Sequence, residues 1–115
     1  MITETKTRTI EPGITVVEIA GRLNLGNVLM SLETSVKRLI EEGARKMIFD
    51  LSALNSIDSS GIGMLVSCSG QMELSGGKLR IAGSQGAVAK AFEVVHMDRI
   101  APLDADVESA CNNLS

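Results

Sequence analysis

The stretch that most limits what this chain can fold into is "KMIFDL" (46–51), a short continuous apolar run between polar neighbours. Successive strand residues point to opposite faces, so unbroken apolarity predicts a strand covered on both sides, as in a parallel sheet. "ITVVEIAG" (14–21) and "KLRIAG" (78–83) read as strands of the same sheet. Helical spacing fills the intervals. Val28, Leu32, Val36, Leu39 and Ile40 form one stripe, with Asn24 or Asn27 as its expected cap and Gly43 as its stop. Ile62, Leu65, Val66, Ser69 and Met72 form a second over 60–75, ended by Gly76-Gly77. Val88, Phe92 and Val95 form a third over about 85–95. "TETKTRT" (3–9) predicts an exposed edge strand, joined through the turn signal "EPG" to the next strand as a hairpin. Residues 52–58 read as a loop, "RIAPL" (99–103) as a short extended piece at a sheet edge, and 104–114 as a last helix with an acidic first turn. The expected order is ββαβαβαβα. It predicts a single α/β domain: a mixed, mostly parallel sheet of four to five strands with an antiparallel N-terminal edge, flanked by about four helices joined by right-handed crossovers.

Composition narrows the function. The 115 residues suit one domain. Only 2% are aromatic, with two Phe and no Trp or Tyr, so no platform for stacking bases is expected. The net charge of −3 gives no attraction to nucleic acid. Cys68 and Cys111 stand far apart, outside any metal-ligand spacing, and read as small buried apolar residues in a reducing compartment. No signal-peptide pattern or apolar run long enough for a bilayer is visible, and the reading is cytoplasmic, without a membrane partner.

The chemistry concentrates in "NSIDSSGIGMLV" (55–66), at the end of a strand and the start of a helix. A nucleophile elbow on Ser59 needs glycine two residues earlier, where Ile57 stands, and the lone His96 is its only imidazole partner. Gly61-Ile62-Gly63 opens like a dinucleotide fingerprint, but Val66 occupies the third glycine position and the Lys-Ser/Thr of a P-loop is absent. No His or Cys joins Asp50 and Asp58 into a metal site. Two readings survive together. Asp58 or Ser59 is well placed to cap the helix. A phosphate on the hydroxyl would also sit in a field that favours anions. Gly61 and Gly63 allow either close packing or the close approach of a partner.

The whole segment "MIFDLSALNSIDSSGIGMLVSC" closely resembles the signature of bacterial anti-sigma factor antagonists, the STAS-domain family. "VVEIAGRLNLGN" resembles the family's second strand and its Gly-x-Leu-Asp segment, and "GGKLRIAG" its later strand, so the likeness implies one STAS domain over 1–115. It also implies a function. Such a protein binds an anti-sigma factor that is itself a serine kinase, is switched off when that kinase phosphorylates the serine after the motif aspartate, here Ser59, and is restored by a serine phosphatase. ATP belongs to the kinase; no cofactor and no catalysis are implied for this chain. Partner contact is implied for Asp58, Ser60, Gly61, Ile62, Gly63, Met64 and Asn24. Asn24 replaces the family's usual Asp, which keeps the hydrogen-bonding shape and removes a negative charge. The alternative within the same fold is a scaffold or ligand-sensing module that is never phosphorylated.

Overall fold

Met47, Ile48 and Phe49 are completely buried in the computed structural model, as a strand covered on both faces requires. The structure describes residues 4–10, 13–24 and 26–114. Within these, the strands are β1 (Glu4–Ile10), β2 (Ile14–Leu23), β3 (Lys46–Asp50), β4 (Leu54–Ile57), β5 (Lys78–Ala82) and β6 (Leu103–Asp104). The helices are α1 (Asn27–Glu41), α2 (Ser59–Leu74), α3 (Gly86–Val94) and α4 (Val107–Leu114), with a 3-10 turn at Met97–Arg99. The sheet runs β1-β2-β3-β5-β6, with β4 paired to β2. β1 is antiparallel to β2, and the remaining pairings are parallel. The expected α/β class with an antiparallel edge is therefore what the chain adopts, with β4 bringing the count to six strands. The "EP" of the expected hairpin turn lies outside the described residues. Among the described residues, no helix is long and apolar enough to cross a membrane.

Two apolar layers hold the sheet. On its front, Val17, Ile19, Leu23, Met47, Phe49 and Ile81 pack against Leu32 and Val36 of α1, Leu65, Cys68 and Met72 of α2, and Val88 and Phe92 of α3. On its back, Ile14, Val16, Ile48 and Ala82 pack against Ala110 and Leu114 of α4. Fully burying one such aliphatic or aromatic side chain contributes about 1.5–3 kcal/mol.

Several expectations change. The 52–58 loop contains β4, which takes over as the parallel neighbour of β2 at residues 21–23, after β3 has covered 15–18. The cap position of α1 is Gly26, which makes no side-chain hydrogen bond, so neither Asn24 nor Asn27 occupies the cap position. Gly43 does follow the end of α1, at φ +106, a region that costs other residues strain. Val28 is exposed and Leu29 packs on the core in its place; Val66 and Val95 are likewise exposed rather than in their helices' buried stripes. "RIAPL" is not one extended piece: a 3-10 turn ends at Arg99, β6 begins at Leu103, and α4 starts at Val107 rather than at 104. Cys68 is buried as expected, whereas Cys111 is half-buried.

Candidate functional site

The junction of β4 and α2 is built around Asp58. Its backbone is extended (φ −110°, ψ −177°), and its Oδ1 accepts the N–H of Gly61 at 2.9 Å. That satisfies one of the helix's open donors, so Asp58, not Ser59, is the cap. The Asp58 N–H donates to the Leu23 carbonyl oxygen at 3.3 Å, which ties the start of α2 to the end of β2. Gly61 seals this junction. A Cβ there would overlap the Leu23 carbonyl oxygen and come within 2.8 Å of Ile57 Cγ1. The close-packing reading therefore holds for Gly61. Gly63 is exposed, with open space where a Cβ would go.

Ser59 is the first residue of α2 and is exposed. Ser60 is half-buried, and Ile62 is half-buried against the front core. Met64 is only 4% exposed and belongs to that core, which corrects the expectation that its side chain faces a partner. Gly61 is buried too, so both support the site from inside. Asn24 is exposed and follows Leu23, whose carbonyl oxygen meets the Asp58 N–H, so Asn24 lies beside the start of α2. Sequence reasoning missed Leu23. Nothing local in "GRLNLG" marks a carbonyl that will meet a distant helix; the only trace of it is the small residue at position 61.

The geometry also separates groups that a hydrolytic pair would bring together. His96 follows the C-terminal end of α3, in left-handed backbone (φ 55°). The nine residues of α3 run about 13 Å away from the carboxyl edge of the sheet, where Ser59 sits. A Ser59–His96 pair is thus not assembled. Asp50 is occupied with the N–H and hydroxyl of Ser52, at 3.0 and 2.7 Å. Among the described residues no group of three His, Cys, Asp or Glu could hold a metal. The thiol of Cys68, beside Ser67, whose hydroxyl donates to Glu33 at 2.9 Å, is pushed up to about 12 by burial and then by the Glu33 charge. It stays protonated and inert at neutral pH.

A family model for the STAS domain matches residues 5–110. The chain belongs to the STAS domain family. Solved STAS relatives superpose over nearly the whole domain. A Thermotoga maritima protein proposed to be an anti-sigma factor antagonist aligns with TM-score 0.87 at 20% identity, over 96% of this chain and 93% of the other. An anti-sigma factor antagonist from Mycobacterium paratuberculosis gives 0.84 at 18%, over 98% and 94%. The Bacillus cell fate determinant SpoIIAA in its phosphorylated form gives 0.76 at 18%, over 97% and 100%. At these identities the likeness establishes an antagonist-like STAS fold. The residues it leaves to be argued chemically are those at the start of α2.

Proposed function

We propose that this STAS domain is an anti-sigma factor antagonist, captured by a serine-kinase anti-sigma factor when unmodified and released when Ser59 is phosphorylated. A serine phosphatase resets it. The observation that carries this reading is the exposed hydroxyl of Ser59 at the first position of α2, beside a cap already supplied by Asp58. Because Asp58 supplies the capping side chain, the Ser59 hydroxyl is not used as the cap and is available for modification. A phosphate adds about −1.5 to −2 charges at neutral pH. Next to unsatisfied helix N–H groups that charge is tolerated by the fold. At a contact surface made by Ser60, Ile62, Gly63 and Asn24 it brings desolvation and repulsion instead. Asn24 lacks the charge of the aspartate usual in the family, so any role there is by hydrogen bonding. On this reading the domain is a substrate of the kinase rather than a catalyst, works in the cytoplasm, and touches neither DNA nor membrane.

The test is capture by the cognate kinase-type anti-sigma factor, measured by calorimetry. Native protein and Ser59→Ala are expected to bind alike without ATP, and Ser59→Asp at least tenfold more weakly. Incubation with kinase and ATP should place a single phosphate on Ser59 by mass spectrometry. Equal affinity of Ser59→Asp and native protein would refute the charge switch. Persistent absence of phosphate would favour an unphosphorylated scaffold.

A further inference from the structure

Far from Ser59, the last turns of α1 and α2 leave a hollow between them. Lys37, Ile40, Glu41, Gln71, Leu74 and Ser75 line a space of about 350 Å³, within the range of about 300–1,000 Å³ found for ligand pockets. Two of its walls are apolar. Ile40 is half-buried against the front core, and Leu74 is 91% exposed, more than any other large apolar side chain among the described residues. Between them stands an unmatched acceptor. Gln71 Oε1 is buried and has no hydrogen-bond partner among the described residues. The neighbouring bonds fix which end of the amide this is. The single hydroxyl proton of Ser67 goes to Glu33 Oε1 at 2.9 Å, and Ser67 Oγ accepts from Gln71 Nε2 at 3.5 Å. Turning the amide over would set two acceptors against each other. Ser75 does not supply the missing donor, because its hydroxyl donates to the Met72 carbonyl at 2.6 Å. A buried acceptor without a donor is costly, so its persistence here asks for a donor from outside.

We propose that this hollow receives a tryptophan side chain from a partner protein. An indole is apolar over its rings and donates through one N–H, with no acceptor of its own. Its rings cover Ile40 and Leu74, and its N–H meets Gln71 Oε1. The exposed ammonium of Lys37 at the rim complements the negative face of the ring. Tryptophan is also the residue type that most often anchors a protein interface through a single pocket. The sequence contains no Trp, so a second copy of this chain does not supply the side chain. The occupant therefore comes from a different protein. Leu74 lies fifteen residues along α2 from Ser59, about 22 Å. The hollow is thus separate from the proposed switch and does not depend on Ser59 being modified.

The probe is N-acetyltryptophanamide, titrated into the full chain. With no Trp or Tyr in the protein, indole fluorescence reports the probe alone. In NMR spectra the side-chain amide of Gln71 and the methyl groups of Leu74 should shift, while Ser59 stays unchanged. The same probe methylated on the indole nitrogen keeps the rings and loses the donor. It is expected to bind the native protein about tenfold more weakly, the worth of one hydrogen bond to a buried acceptor. Gln71→Leu should bind the two probes equally, and Leu74→Ala should weaken both severalfold with an unchanged melting midpoint, since Leu74 is exposed. Equal binding of the two probes by the native protein overturns the proposal, and this comparison holds even if Gln71→Leu fails to fold. Shifts centred elsewhere on the domain also overturn it. So does the absence of any shift at Gln71 and Leu74 with about 10 mM probe, because a ligand of this size in a matching site binds more tightly than that.

Discussion

Gly61 and Gly63 stand two positions apart in α2 under opposite constraints. An added methyl at Gly61 meets backbone, the Leu23 carbonyl oxygen, which cannot swing aside as a flexible side chain can. Gly61→Ala is expected to destabilise the protein by about 2–3 kcal/mol, as overpacking does. At Gly63 nothing lies within 4 Å of the added carbon. Gly63→Ala should therefore stabilise by about 0.5–1 kcal/mol, the helix-propensity difference. Urea melts distinguish the two, and a stabilising Gly61→Ala would contradict the packing described. Removing the cap with Asp58→Ala should cost about 1 kcal/mol, while Asp58→Asn keeps most of it. These substitutions bracket Ser59 without touching its hydroxyl, so they separate helix initiation from the proposed switch.

At the scale of elements, α4 is locked to the sheet by one carboxylate. Arg80 on β5 donates to Asp104 through Nε at 2.6 Å and through Nη2 at 3.1 Å, and Asn113 of α4 donates to it at 2.7 Å. The Asp104 side chain is only 5% exposed. The hydrogen bonds from Arg80 hold its carboxyl below the usual carboxylate range; burial opposes this and Asn113 assists it. A depressed value in the folded state contributes stability that is complete above about pH 4, the unfolded value, and is lost as pH falls through the lower folded one. Urea midpoints measured on descending from pH 5 should therefore fall more steeply in the native protein than in Asp104→Asn. Parallel acid limbs would show that this carboxylate does not couple folding to pH. Replacing it with alanine leaves Arg80 without its partner at a half-buried site, with an expected cost of about 2 kcal/mol.

For the whole molecule, the sheet is covered unequally. Three helices cover the front, whereas among the described residues the apolar back is covered by the eight residues of α4. A chain ending at Asp104 would expose Ile14, Val16, Ile48 and Ala82 to water. It is expected to bind a hydrophobic dye and to lose its cooperative thermal transition. A sharp transition at the native midpoint would mean that the front core suffices alone. The same asymmetry bears on the site. Because strand-to-helix connections in the parallel set emerge at one edge, the N-termini of α1, α2 and α3 share that edge, together with Arg22 and Asn24.

What the sequence by itself determined is the part governed by local pattern. A continuous apolar run predicts β3, a short strand pattern predicts β5, helical spacing predicts α1, α2 and α3 and most of their buried residues, and Gly43 marks the end of α1. The "DSSGIG" motif carries the resemblance to the family, and Ser59 is nominated from it for the proposed switch. Each of these depends on residues within a turn or two of one another. Contacts between distant segments decided the rest. β4 is a polar-looking "LNSI" that becomes a strand only because β2 runs on to Leu23 and offers it a partner. Two glycines indistinguishable in sequence divide into a sealed junction and an open surface because only one of them meets the Leu23 carbonyl. Met64 turns inward while Val66 turns outward, since the packing of α2 on the sheet, not apolarity, chooses the buried face. Hydrogen-bond partners and close approaches are set by pairing across the fold, and no single segment of this chain carries them.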